Sequence, residues 1–199
     1  MTKMKSKPNT KTGTGKKIKV PKKVEGFLAK VGAKYELVGH RTVYTAFDKA
    51  ATLKIKPGTV AKVLTLKIGK ELVLAAMGSD KNLDIEKLQK LAKTEKIAFA
   101  KEKAIVETFK GIDPGAIPPF AGLWNVKVFC DKKLLEAPKI ILPSGSYEAS
   151  LKITSGGLKK INPEIIIGNF SSSRPKKTKT AKSKVQNKSA GGVLKRKKK

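Results

Sequence analysis

Charge in this 199-residue chain is sorted so sharply along the sequence that only its middle can form a core. Residues 1–23 hold nine lysines and no acid, and residues 171–199 hold twelve Lys or Arg and no acid. Both stretches are rich in Lys, Ser, Thr and Gly and nearly free of large apolar side chains. Such segments cannot bury enough surface to offset the entropy of ordering their backbone, so both read as disordered basic tails. That leaves residues 24–170, one domain of ordinary length. Within them 24 basic residues face 15 acidic ones, a net of +9 out of +30 for the whole chain. Val, Ile, Leu and Phe are plentiful there.

The apolar pattern in the middle alternates between two periods. Val24, Phe27, Leu28 and Val31 share one side of a helix over 23–33, and a short strand, YELVGH, follows. Residues 45–53 read as a second helix. AKVLTLKIGKELVLAAM (61–77) reads as two strands around a turn at Gly69. Residues 82–92 form an amphipathic helix with Asn82 as N-cap and Ile85, Leu88 and Leu91 on one face. KIAFA is a strand and KEKAIVETF a helix, closed by Gly111 at a C-cap-like position. NVKVFCD, KIILP and SYEASLKIT are further strands, and SGGLKKI and EIIIGNF complete the domain. Several strands are separated only by short turns. The pattern therefore favours a mixed α/β fold with a largely antiparallel, barrel-like sheet surrounded by helices.

Composition removes several chemistries. One His and one Cys cannot build a tetrahedral Cys/His metal site, and no internal disulfide is available to Cys130 alone. Walker-type and dinucleotide glycine patterns are absent, so neither a metal nor a cofactor is expected. No apolar run spans a membrane and no apolar segment follows the basic start, so the expected location is cytoplasmic. A polycation of this kind is attracted to polyanions, with nucleic acid the commonest.

Two features carry candidate chemistry. In AKVLTLKIG, strand alternation puts Lys62 on the same face as Leu64, Leu66 and Ile68. An ammonium at the mouth of that row needs an anion or a polar pocket, unless it snorkels to solvent. The second feature is GIDPGAIPPFAG (111–122). It holds three prolines and one ionisable side chain, Asp113. Its donors include the amides of Gly111, Ile112, Asp113, Gly115, Ala116 and Ile117. Rigid turns of small residues let a ligand approach the backbone, whose N–H groups can hold a carbonyl oxygen as it gains charge. The same composition also suits a tight crossover shaped by proline.

Taken in order, HRTVYTAFDKAA (40–51), TVAKVLTLKIG (59–69), LDIEKLQKLA (83–92), GIDPGAIPPF (111–120), VFCD (128–131) and SGSYEASLKI (144–153) resemble the YbaK-type aminoacyl-tRNA deacylases. That family includes the editing domain of bacterial prolyl-tRNA synthetases. The resemblance covers roughly 24–170 and neither tail. It is most specific at Lys62 and in the Gly111, Gly115, Pro119 pattern. It implies trans-editing, the hydrolysis of the ester between a wrong amino acid and the 3′ end of tRNA, with no cofactor or metal. Lys62 matches the family's essential lysine, which binds the substrate end. Gly111 begins the glycine loop whose amides meet the substrate carbonyl, and Gly115, Ile112, Ala116 and Pro119 belong to that loop. Gly145, Ser146 and Ser150 fall on the Gly/Ser-rich strand that lines the pocket. Tyr35, His40, Thr42 and Thr45 sit in the segment that borders it. Some members carry an aspartate near Ser150; its absence here bears on which amino acid is accepted. The implied partners are tRNA, gripped along its backbone by the basic tails, and an aminoacyl-tRNA synthetase.

A competing reading is a non-catalytic RNA- or DNA-binding protein that uses the same fold and the lysine-rich tails. KRKKK (195–199) also fits an import address.

Overall fold

The computed structural model describes residues 9–11 and 19–173. In chain order it begins with β1 (Asn9–Lys11), α1 (Lys22–Lys30), β2 (Glu36–Gly39) and α2 (Ala46–Thr52). Next come β3 (Ala61–Ile68), β4 (Glu71–Gly78), β5 (Lys81–Leu83), α3 (Ile85–Ala92), β6 (Ile97–Phe99) and α4 (Glu102–Thr108). Then follow α5 (Ala121–Trp124), β7 (Lys127–Asp131), α6 (Lys132–Leu135), β8 (Lys139–Pro143) and β9 (Ala149–Thr154). The described chain closes with α7 (Ser155–Ile161), β10 (Ile166–Gly168) and β11 (Ser171–Ser173).

Two mixed sheets carry the fold, and most of their strand pairs are antiparallel, as the short turns predict. One runs β1-β2-β9-β8, with β1 parallel to β2 and the other pairs antiparallel. The other runs β10-β7-β4-β3-β6, antiparallel around β3 and parallel through β7. A parallel bridge between Val60 and Ile141 joins the start of β3 to β8, so the sheets meet along an edge in a barrel-like way. Between them lies the main core, with Leu37, Ile140, Leu142, Leu151 and Ile153 from one sheet and Ala61, Ala76 and Cys130 from the other. Val24 and Leu28 of α1 and Leu158 and Ile161 of α7 close it. Each such Val, Leu or Ile side chain contributes about 1.5–3 kcal/mol by leaving water. Burial raises the Cys130 thiol to about 12, so it acts as a small apolar group.

Buried polar groups pin the ends of the short elements. Asp131, 1% exposed, spends both oxygens, accepting from the Lys133 N–H to cap α6 and from the Phe170 N–H to hold the last strands. Asn162 accepts from the Ala121 N–H and so fixes the start of α5 against α7.

α1 starts at Lys22, and β11 pairs with β5 through Ser171–Ser173. Several expectations are corrected. Asn9–Lys11, expected within a tail, pairs with β2. Residues 1–8, 12–18 and 174–199 lie outside the described residues. Asn82 does not cap α3. It lies in β5 opposite Ser172, and Asp84, the first residue past that strand, accepts from the Lys87 N–H at 3.2 Å. Nor does Gly111 cap α4, which ends with Phe109 in the cap position.

Candidate functional site

The glycine loop is tied to the tip of the β8–β9 hairpin. Gly145 donates its N–H to the Ala116 carbonyl at 2.8 Å, and its own carbonyl accepts from the Asp113 N–H at 3.1 Å. The Asp113 carboxylate accepts from the Tyr147 N–H at 3.0 Å, and the Tyr147 hydroxyl donates to the Pro114 carbonyl. Within the loop the Ile112 amide goes to Phe109 and the Ala116 amide to Asp113. The amides of Gly111 and Gly115 make no hydrogen bond among the described residues. Both glycines are exposed, with φ of +79° and +80°, and a Cβ on either would meet open space. Positive φ explains glycine at both positions. Ala116, Ile117, Pro118 and Pro119 are buried beneath them. The loop thus presents its glycine backbone outward on an apolar base.

The strand beyond the hairpin tip carries Ser150, which is fully buried. His40, just past β2, places Nε2 2.9 Å from Ser150 Oγ and Nδ1 2.9 Å from the Arg41 carbonyl. A carbonyl only accepts, so Nδ1 bears the proton and Nε2 accepts from the Ser150 hydroxyl. Burial, the largest influence, lowers the His40 pKa and so favours the neutral ring. Both ring nitrogens are therefore engaged. Thr42 donates to Glu148 at 3.1 Å. The Thr45 hydroxyl is spent on capping α2, accepting from the Asp48 N–H at 3.0 Å and donating to its carboxylate at 2.6 Å. Ser146 accepts from the Glu148 N–H.

Register decides which faces meet. Lys62 shares its face of β3 with Leu64 and Leu66, which pack with Val73, Ala75 and Met77, as alternation predicts. Lys62 is partly buried and donates to the Lys81 carbonyl. Two residues before it, Val60 packs with Ile141, Val38 and the apolar side of α2. Ser150 pairs with Val38 and Pro143, and by period-two alternation it lies on the same face as Val38 and Ile141. Lys62 and Ser150 thus belong to one surface, roofed in part by α2.

Sequence reasoning missed Lys49 on α2. It is 6% exposed, and burial lowers its pKa to about 8. Its signal is the helical stripe Ala46, Lys49, Ala50, Leu53. Of the expected residues, Tyr35 is the outlier. It stands at the opposite end of β2 from His40 and packs against the main core, where burial and Glu25 raise its pKa. Ile112 packs under Gly145. A cleft of about 620 Å³ lined by Glu71, Leu72, Trp124 and Lys127 shares no residue with this surface. Among the described residues no group of His, Cys, Asp and Glu could hold a metal ion, and no helix is long and apolar enough to cross a membrane.

Comparison with known proteins meets this geometry. The sequence model of the aminoacyl-tRNA editing domain matches residues 40–161, which include His40, Lys62, the glycine loop and Ser150. A solved structure described as a proposed trans-editing enzyme for prolyl tRNA synthetase is 20% identical, with a TM-score of 0.69 over 79% of this chain and 100% of the other. A second, described as a hypothetical protein, is 22% identical, with a TM-score of 0.67 over 75% and 99%. These likenesses establish the fold. No curated protein matches the chain in sequence.

Proposed function

The chain belongs to the aminoacyl-tRNA editing domain family, and on that premise we propose that it is a trans-acting deacylase that frees tRNA from wrongly attached amino acids. The observation that carries this reading is the pair of unbonded amides at Gly111 and Gly115, held outward by bonds from Gly145 and Tyr147. In this reading water attacks the ester carbonyl, and its oxygen takes up negative charge facing those amides. Collapse expels the 3′ oxygen of the ribose, which takes the proton. An activated ester needs little more than positioning and an oxyanion site. Lys62 binds the polar end of the nucleotide, and Ser150 orients His40 at the pocket wall. Gly145 and Ser146 shape its rim, and Thr42 and Thr45 hold the segment beside it. The basic tails grip the tRNA backbone, and a synthetase that supplies the mischarged tRNA is the natural companion.

The test is a deacylation panel: full-length protein, several mischarged tRNAs, and release of free amino acid. Lys62→Ala removes a charged hydrogen bond of about 1.5–3 kcal/mol, or about 10- to 150-fold in kcat/KM. Gly115→Ala slows hydrolysis more than Pro119→Ala, because proline has no N–H to offer. Tight tRNA binding with no release from any charged tRNA refutes the enzyme and leaves a binding protein.

A further inference from the structure

Lys49 sits where a helix would ordinarily place an apolar residue. On α2, Ala46, Lys49, Ala50 and Leu53 follow the i, i+3, i+4, i+7 spacing of a packing stripe. Ala46, Ala50 and Leu53 pack against Val38, Val60 and Ile141. Lys49 lies in the same seam at 6% exposure. No hydrogen bond or ion pair holds its ammonium among the described residues. Its charge acts on His40, whose pKa it lowers, so the ammonium lies near the imidazole that Ser150 holds. The surrounding charged groups are committed elsewhere. Asp48 is bonded to Thr45, Glu148 accepts from Thr42, Arg41 donates to Thr52, and Lys62 donates to Lys81.

The Lys49 stem is buried while its Nζ keeps a little contact with solvent, and burial in the folded state lowers its pKa to about 8. Titratable groups perturbed by burial beside a pocket cluster at functional sites. No carboxylate of the described chain is offered to it, so its anion comes from outside. The neighbouring wall holds His40 and Ser150, and Glu148, which accepts from Thr42, also acts on the imidazole.

We propose that Lys49 is an anion receptor of this site, whose ammonium takes an anionic oxygen of the bound substrate. This rests on the deacylase reading. Such a substrate offers that chemistry from two sources, a phosphate near the nucleotide end or the carboxylate of an acidic amino-acid side chain. Lys49 thereby adds a second cation on the side of the pocket formed by α2.

The experiment is a pH titration of full-length protein carrying ¹³Cε-lysine, with the Lys49 signal assigned by its loss in Lys49→Met. The titration is run alone, with sodium acetate, with inorganic phosphate, and with sodium chloride at equal ionic strength. An anion that binds only the charged form raises the midpoint by about one pH unit at about ten times its dissociation constant. A rise with acetate or phosphate beyond that with chloride supports the receptor. Equal midpoints in all salts overturn it. Deacylation then separates the sources, using minihelices charged with aspartate, glutamate or alanine. A tenfold or greater loss in kcat/KM for Lys49→Met on acidic aminoacyl ends alone identifies the side chain, and an equal loss on all identifies the phosphate. Lys49→Gln repeats the comparison with a polar replacement. If the wild-type protein hydrolyses none of the minihelices, the deacylase reading fails while the titration still decides the anion site.

Discussion

Gly145→Ala should do more damage than alanine at either glycine of the loop it supports. All three residues have positive φ, +95° at Gly145, +79° at Gly111 and +80° at Gly115. An L-residue in that region costs about 1–2 kcal/mol. The surroundings separate them. A Cβ on Gly111 or Gly115 meets nothing within 4 Å, whereas one on Gly145 lands 2.8 Å from Ile112 Cδ1 and 2.9 Å from Pro21 Cγ. The isoleucine tip can rotate away. The Pro21 ring cannot, because it is the N-cap of α1, whose Val24 and Leu28 are buried in the main core. Overpacking of this kind adds about 1–3 kcal/mol. The expected total is about 2–5 kcal/mol for Gly145→Ala against about 1–2 for the others. At about 2–4 °C per kcal/mol for a domain of this size, Tm should fall by about 5–20 °C. Thermal unfolding followed by circular dichroism measures it. Activity should fall as well, since Gly145 bonds both Ala116 and Asp113. A Tm for Gly145→Ala no lower than that of Gly115→Ala would refute the steric argument.

Three further outcomes follow from particular interactions. Ser150→Ala leaves His40 Nε2 without its partner and should cost about 1–3 kcal/mol in urea unfolding; an unchanged midpoint would mean the hydroxyl does not hold the ring. Lys49→Met should stabilise the fold at neutral pH. The wild-type ammonium has a folded pKa of about 8 against an ordinary 10.5, so wild-type stability rises as pH climbs between them. The variant's advantage, about 3 kcal/mol below pH 8, should vanish above about 10.5, and parallel stability curves would contradict it. Deleting residues 174–199 removes twelve basic residues and no acid. Plots of log affinity for tRNA against log salt should become shallower, by about 0.9 for each phosphate that the shortened chain leaves unneutralised; equal slopes would show that this segment does not touch the tRNA.

The strands that alternation could read were those with length. β3 and β4 have eight residues each, and Gly69 turns between them at φ +60°. The three-residue β5 and β11 have no period of their own and exist because each completes the other. α5 and α6, four residues each, are too short for a helical stripe; a tertiary bond to Asn162 defines the start of α5, and the Asp131 cap that of α6. In the site, Lys62 was legible because parity needs only local sequence. The His40–Ser150 bond joins residues 110 apart, and nothing local marks it. Lys49 was legible in principle. Its stripe is mostly alanine, which gives little hydrophobic contrast, so the helix showed while the lysine's inward side did not.

One hairpin sets both halves of this site, and that constrains what it can accept. The tip of β8–β9 holds the glycine loop through Gly145 and Tyr147, while its strands carry Ile141 and Ser150 under α2. Loop, imidazole and buried lysine therefore share one rigid support. Around it three carboxylates are already bonded: Asp113 to Tyr147, Asp48 to Thr45 and Glu148 to Thr42. Among the groups with no bond among the described residues are the Gly111 and Gly115 amides and the Lys49 ammonium, which are donors. Exposed loop amides and a nearby ammonium favour acceptor oxygen over a cationic ligand. An ester carbonyl that gains charge, with phosphate or carboxylate beside it, satisfies that demand. A ligand presenting mainly N–H groups would leave the same donors desolvated and unpaired, at about 1–3 kcal/mol for each.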